Sequence, residues 1–416
     1  MSTEPLAEKH SPERSRMRFE PRRGGLFAAL RHREYRLLFS SFCVNQTGFW
    51  LSHISLQGLM VKLSSGDPLQ VGLLSFALLI PALLLAPISG AVADRFDRRT
   101  IMLSCYAVVS AVTGLLAALT GFGAMTSHLL LAFSFVMGVT FAIAAPASMA
   151  IAANAVHIED LPSAVALQSA TNNLTRVVGP LLAAPLVAAG HYAIGFWAFA
   201  GSAFVAGLLV SRMRVKMEPS TEKGGMLQRI RAGFAHARER RPALAAIATT
   251  GCLSVFGVGH IAMLPVYAHD VLGDGGLFPW LVAVTASGAI FGALATGREG
   301  RPTLARAALR LVFYGLAFGV FAWTDELWVA FVAQFVLGYF YFAVMTSLQT
   351  LIQQLVDDAN RGRVMSLFQV AWGGLTPVGS LGMGAVAGWI GIGRTLQLAA
   401  LGCVVSGLVV RMRERR

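Results

Sequence analysis

Residues 90–99 read Gly-Ala-Val-Ala-Asp-Arg-Phe-Asp-Arg-Arg. One apolar run, Val71 to Ala93, leads into this stretch, and a second, Ile101 to Leu119, leads out of it. Apolar runs of about 20 residues are membrane-spanning helices, and the charges between two of them belong in a short turn at the membrane surface. Gly90 is expected to let the two helices approach, Asp94 to stand where one ends, and Arg95, Arg98 and Arg99 to pin the turn to one side of the bilayer.

The remaining chain is built the same way. With 416 residues, 55% of them hydrophobic and 13% charged, it is too apolar for a soluble domain of its size. Apolar runs predict about twelve spans, near 37–61, 71–93, 101–121, 128–152, 165–189, 193–211, 244–268, 278–296, 304–322, 327–350, 364–389 and 394–410. The expected fold is therefore an all-α integral membrane protein. Its parts are a basic segment at 1–36, a six-helix bundle at 37–211, a linker at 212–243, a second six-helix bundle at 244–410 and a tail at 411–416. Phe27 to Phe39 reads as a basic amphipathic segment running into the first span, or as a solvated tail; Met226, Leu227, Ile230 and Phe234 predict a surface helix in the linker.

A net charge of +13 would suggest nucleic acid in a soluble protein, but here the positions of the charges set topology. Arginines gather before the first span, at Arg95 to Arg99, through Arg212 to Arg241, at Arg298 to Arg306, at Arg361 and Arg363, and at the end, all in alternate loops. The other side has Lys62 and Arg394 with several acids. This bias predicts that both termini face the cytoplasm, and it makes anionic lipid rather than nucleic acid the charged partner. Cys43, Cys105, Cys252 and Cys403 lie in apolar runs without metal or redox spacing and read as packing residues. No cleavable signal peptide is read at the start.

The two halves repeat each other. His53-Ile54 and Gly66-Asp67 recur as His260-Ile261 and Gly273-Asp274 at one offset; Gly90-Ala-Val-Ala recurs as Gly292-Ala-Leu-Ala, with Asp97 against Glu299 and Arg99 against Arg301. Asp160 and Pro180 are matched by Asp357 and Pro377. Two parallel six-helix repeats are the architecture of a rocking transporter.

Taken together, the Gly90, Asp94, Arg95, Arg98, Arg99 turn, Asn172-Asn-Leu-Thr-Arg-Val-Val-Gly-Pro180, and Arg361-Gly-Arg-Val-Met-Ser-Leu367 with Thr376-Pro-Val-Gly379 resemble the major facilitator superfamily. Within it they are similar to the bacterial efflux branch of enterobactin-exporter-like and macrolide-efflux-like proteins. The resemblance implies export of a small molecule. It also implies that the motif Asp and Arg residues stabilise an outward-open state by contacting the end of helix 11, which carries Arg361 and Arg363. The second half departs from the motif with Thr296 and Gly297 in place of Asp94 and Arg95, and Ala183-Ala184 stand where antiporters often have two glycines. Every Asp and Glu falls in a loop or at a span end, which leaves no mid-membrane carboxylate for proton coupling.

Candidate transport residues follow from polar groups at helical spacing inside the spans. Gln46, Trp50, His53 and Gln57 recur at i, i+4, i+7 and i+11, with Asn45 beside them, and face either a cavity or neighbouring helices that they join by hydrogen bonds. Arg176, with Asn172 and Gln168 on its face, is the one cation deep in a predicted span; it either holds an anionic group of a substrate or is a structural cation satisfied by Asn45, Gln46 and carbonyls. Gly179-Pro180 either bends its helix or packs it tightly. His53 and His260 are protonatable groups within the membrane, and Tyr267, Tyr341, Gln349, Gln369 and Trp372 supply aromatic and amide groups for an apolar cavity. Gating is expected of Gly90, Asp94, Arg95, Asp97, Arg98, Arg99, Gly179, Pro180, Arg361, Arg363 and Pro377.

No phosphate loop, zincin motif or nucleophile elbow appears, so no enzyme activity, cofactor or metal is expected. The expectation is a monomeric secondary transporter of the bacterial cytoplasmic membrane that exports an amphipathic, drug-like or siderophore-like molecule by alternating access, driven by an ion gradient such as protons. An importer or lysophospholipid flippase of the same fold, and a non-transporting receptor or scaffold, are the alternatives.

Overall fold

The computed structural model describes residues 25–214, 241–297 and 300–414. Most of the linker helix expected within 213–242, the basic segment before Gly25, Glu299, and the side chains of Asp94 and Arg361 lie outside the described residues. Regular structure among the described residues is helical: α1 (Arg33–Ser64), α2 (Pro68–Leu84), α3 (Ala86–Arg95), α4 (Arg98–Gly121), α5 (Ser127–Asn154), α6 (Leu161–Ala188) and α7 (Tyr192–Ser211) in the first half. The second half has α8 (Arg241–Cys252), α9 (Gly259–Asp270), α10 (Phe278–Gly297), α11 (Leu304–Trp323), α12 (Leu327–Leu355), α13 (Asp358–Gln369), α14 (Thr376–Ile390) and α15 (Ile392–Glu414). The pairs α2/α3, α8/α9 and α13/α14 each continue one rod, so the described helices form twelve rods in two sets of six.

By length and composition, eight of these rods can cross a membrane. The other four are α1, α2/α3, α6 and α13/α14, and each has a physical reason: α1 and α6 carry the polar stripe, and the other two are broken. The chain breaks at Leu85, two residues before Pro87, which has no N–H to bond back to Leu83. A π-turn, Val370–Gly374, precedes Pro377 at the start of α14, and a second π-turn, Leu253–Val258, joins α8 to α9. The turns between rods are closed by side chains that the sequence places at helix starts. Asp67 accepts from Leu69 N–H, Thr126 from Leu129 N–H and Thr303 from Arg306 N–H.

The repeat is visible in the packing. α2 packs on α5 as α10 packs on α12, and α4 on α7 as α11 on α15. The closeness is set by glycine in both halves: a Cβ on Gly138 would run into the Leu78 carbonyl, and one on Gly338 into the Thr285 carbonyl. The two bundles meet where α2 runs along α14 and α6 along α10.

Among the described residues, the tightest approaches of one bundle to the other gather on one face. On the face opposite the Arg95–Arg99 turn, Gly384 abuts Pro68 and Gly72, Gly276 abuts Ala188, and Gly66 abuts His269 and Asp270. On the arginine face, α3 packs on α5 and α13 on α8 and α12, each within its own bundle. No comparable backbone approach joins the bundles at the arginine face among the described residues.

This geometry corrects several expectations about the opening turn. Asp97 caps α4, its carboxylate accepting from Thr100 N–H and the Thr100 hydroxyl at 2.9 Å. Burial pushes that carboxyl up, but the Thr100 bonds and the nearby Arg99 guanidinium outweigh it and hold the group below its ordinary value. Arg99 donates to the Val210 and Ser211 carbonyls at the end of α7, so it fastens α4 to α7 rather than reaching the eleventh span. Arg363 bonds Asn360 on its own helix, Arg95 is exposed beside the Phe96 ring, and a Cβ on Gly90 would meet nothing. These contacts each stay within one bundle, and the side chains of Asp94 and Arg361, which complete the implied joint, lie outside the described residues. Gly292, the repeat of Gly90, does make a close approach, to the Tyr339 carbonyl.

The segment before α1 is a 3-10 turn, Ala28–Arg31, not a continuous amphipathic helix. His32 is extended there, and its Nε2 pairs with Asp160 at 2.8 Å. Ala29 N–H donates to the Ser163 hydroxyl, which donates to the Leu26 carbonyl, and the Tyr35 hydroxyl donates to the Ala164 carbonyl. These bonds dock the chain start on the first turn of α6.

Candidate functional site

The polar stripe of α1 lies against the matching stripe of α6. Gln46 Nε2 donates to Asn172 Oδ1 at 2.9 Å. One turn further along both helices, the Arg176 guanidinium lies over the Trp50 ring, 5.6 Å from its centroid. At the next turn Gly179 abuts the Trp50 Cβ so closely that any side chain there would collide. The i, i+4 spacing on each helix is what brings the three contacts into one row. α6 runs unbroken through Gly179 and Pro180, so of the two readings of that pair the structure has tight packing.

The row is completed from the other bundle. Phe342 of α12 also lies 5.6 Å from the Arg176 guanidinium, and Tyr341 lies within electrostatic reach of it. Trp372, in the Val370–Gly374 π-turn, donates its indole N–H to the Tyr341 hydroxyl at 2.8 Å. One cation is thus held between aromatic rings of both bundles. No hydrogen bond or ion pair involves Arg176 among the described residues, and its buried Nε has no partner. Trp50 Nε1 and Asn45 Oδ1 are likewise buried and unpaired.

His53 extends the row toward the closed face. Its ring stacks on Phe49 at 5.6 Å and meets the edge of Trp50 at 5.7 Å, and its Nε2 lies 3.3 Å from Gln57 Nε2. Beyond it, a cavity of about 470 Å³ opens between the bundles at the closed face, lined by Lys62, Tyr192, Pro265, His269 and Phe278, with the Lys62 ammonium 5.7 Å from the Tyr192 ring centroid.

Three expected contacts are placed elsewhere. His260 is 2% exposed inside the second bundle, where its Nδ1 pairs with the Gly257 carbonyl and its Nε2 faces Gln334, which also accepts from Thr285 at 2.7 Å. The reason is the π-turn just before it: one added residue turns the following helix by about 100° relative to α1, so the repeat of His53 points inward. Tyr267 is fully buried and donates to the Phe321 and Thr324 carbonyls. Gln369 is exposed on α13, and no hydrogen bond ties it to the row among the described residues. Conversely, Phe342, Phe49 and the Gln334–Thr285 pair went unselected from sequence. Phe342 adjoins Tyr341, and only the axial rotation of α12 against α6 shows that it lies beside Arg176.

A family model described as transmembrane secretion effector matches residues 24–415. Among curated relatives, the staphyloferrin A transporter of Staphylococcus aureus (strain NCTC 8325 / PS 47) is 23% identical over 390 residues, covering 92% of this chain and 96% of the relative. The uncharacterized MFS-type transporter YfiS of Bacillus subtilis (strain 168) is 25% identical over 381 residues, covering 88% and 89%. Among solved structures, the nucleoside transporter NupG aligns with a TM-score of 0.69 at 14% identity, covering 92% of this chain and 98% of that one. A bacterial homolog of the human lysosomal transporter Spinster, inward-facing and unoccupied, aligns with a TM-score of 0.71 at 14% identity, covering 92% and 96%. At these identities the solved structures share the fold.

Proposed function

The chain belongs to the transmembrane secretion effector family of major facilitator membrane transporters, and from that premise we propose that it exports an amphipathic small molecule by alternating access. The single observation that carries this reading is the row Gln46, Asn172, Trp50, Arg176, Phe342, Tyr341, Trp372, which joins both bundles midway along their rods. Rocking of one bundle against the other changes every contact in the row that crosses the seam, so the site's affinity is coupled to which face is open.

In this reading the arginine face is cytoplasmic, by the charge bias of its loops. The close approaches gathered on the opposite face then make this the inward-facing state, in which the row takes substrate from the cytoplasm or inner leaflet. The membrane is the bacterial cytoplasmic membrane, the working unit is the monomer, and an ion gradient drives turnover. The family's description as a secretion effector supports export over import, and the siderophore transporter among the relatives supports a siderophore-like or drug-like substrate.

The test is transport by the purified protein in proteoliposomes, with a panel of antibiotics, siderophores and lipids first screened by ligand-stabilised melting. Uptake into vesicles whose arginine face is outward, quickened by a proton gradient, is expected. Movement of no solute in either direction, with or without the gradient, removes the proposal.

A further inference from the structure

The central row is built around a cation that nothing among the described residues neutralises. Arg176 makes no ion pair and no hydrogen bond among the described residues, and the chain offers no carboxylate in mid-membrane. A structural arginine at this depth would spend its N–H groups on carbonyls, carboxylates or amide oxygens. Here Asn172 Oδ1, one turn away, accepts from Gln46 instead, and Asn45 Oδ1 stays unpaired without turning to the guanidinium. What Arg176 does have is two aromatic rings, Trp50 and Phe342, one from each bundle, while its N–H groups have no partner among the described residues.

We propose that Arg176 is the anchor of a carboxylate, and that the substrate is a carboxylic acid with a planar apolar body; this deepens the transport reading and rests on it. Four chemical features point the same way. The site has a single cation, which balances one carboxylate but not a phosphate dianion. The Tyr341 hydroxyl already accepts from Trp372 Nε1, so its own proton is available for a substrate oxygen. Trp50 Nε1 is a second donor without a partner. The walls, Trp50, Phe342, Tyr341 and Trp372, are flat and aromatic and suit a planar apolar group. Because Arg176 belongs to one bundle and Tyr341 to the other, a carboxylate held by both closes a contact across the seam that the unliganded protein lacks.

The test uses the full-length protein in nanodiscs, with 1-naphthoate and its neutral isostere 1-naphthamide as probes and quenching of tryptophan fluorescence as readout. A hydrogen-bonded ion pair replaced by a neutral amide predicts that naphthoate binds roughly ten- to a hundredfold more tightly than naphthamide. Arg176→Gln is expected to erase that preference while leaving naphthamide binding within about threefold, Arg176→Lys to keep part of it, and Tyr341→Phe to reduce it by about tenfold. Equal affinity of the two probes for the unaltered protein, binding of neither at millimolar concentration, or an unchanged preference in Arg176→Gln overturns the proposal. Should Arg176→Gln fail to fold, the probe pair on the unaltered protein and on Tyr341→Phe still decides. Tight naphthoate binding without vesicle transport leaves this proposal standing and removes the transport reading. Transport of a neutral dye at full rate by Arg176→Gln, with no naphthoate preference, does the reverse.

Discussion

A single methyl group at Gly384 should drive the protein out of the conformation described here. Gly384 lies on α14 where it crosses α2, and a Cβ built there would sit 2.5 Å from the Pro68 carbonyl oxygen and 3.2 Å from the Gly72 Cα. Both are backbone atoms, so no side chain can swing aside; restoring van der Waals contact requires α2 and α14 to separate by about 1 Å. Overpacking of this kind costs about 1–3 kcal/mol. The cost falls only on the state in which this face is closed, so Gly384→Ala shifts the ratio of the two states toward opening of that face by about 5- to 150-fold. Spin labels at Leu69 and Trp389, both exposed near the same seam, report it in a background with the four cysteines replaced. The unaltered protein should give a short distance, and Gly384→Ala a second, longer population. Gly382→Ala, whose Cβ would meet nothing within 4 Å, serves as the neutral control on the same helix. A distance distribution unchanged by Gly384→Ala, whatever happens to the melting temperature, would refute the argument that this crossing holds the face shut.

Three further outcomes are expected. Gly179→Ala pushes the new methyl into Trp50 and should destabilise the first bundle by about 1–3 kcal/mol while also loosening the Arg176–Trp50 stack, read as a lower melting temperature with altered tryptophan emission. Gln46→Leu and Asn172→Leu, alone and combined, should show a coupling of about 0.6 kcal/mol in unfolding from mild detergent, because each single change strands the other's amide; additive effects would deny the bond. Asp97→Ala should cost about 1 kcal/mol as a lost helix cap. Since the Asp97 carboxyl is held below its ordinary value, its contribution is complete above the unfolded value of about 3.9 and fades as pH falls through the lower folded value, so the melting difference between Asp97→Ala and the parent should be flat across neutral pH and vanish only in strong acid.

The rods, their turns and the repeat were legible because each rests on a local rule. Span length, arginine-rich alternate loops and cap residues such as Asp67 and Asp97 act within a few positions of the chain. The first half of the site was legible for the same reason: Gln46 with Trp50, and Asn172 with Arg176, are i, i+4 pairs, and two such pairs on adjacent helices can meet only as a row. What sequence could not supply was rotation. A π-turn leaves no strong mark in composition, yet the one at Leu253–Val258 is what turns His260 away from the position its repeat, His53, holds beside Trp50. Nor does sequence tell which of two conformations is drawn. The contacts implied for Arg95 and Arg363 would join the two bundles, and here each of these arginines meets a neighbour on its own bundle.

The two halves, equal in origin, have divided the work unequally. In the first bundle the polar groups stand on continuous helices and are left facing the seam, with Arg176, Trp50 and Asn45 each holding an unpaired atom. In the second bundle His260 pairs with Gly257, Gln334 Oε1 with Thr285 and Tyr267 with Phe321, and the rod that carries His260 and Tyr267 is interrupted by a π-turn, as is the rod that carries Trp372. Those two π-turns pack against each other, and a Cβ on Gly379 would meet the carbonyls of Val255 and Ser254 inside one of them. Helices change direction most readily where the α-ladder is already interrupted. The second bundle therefore has an interrupted rod beside the site, and Trp372 sits in that interruption, bonded to the Tyr341 near Arg176. A ligand that pulls on Tyr341 pulls on a hinge. Binding chemistry on the rigid half and a deformable joint on the other is a division through which an anion held at Arg176 would bias the equilibrium between open faces.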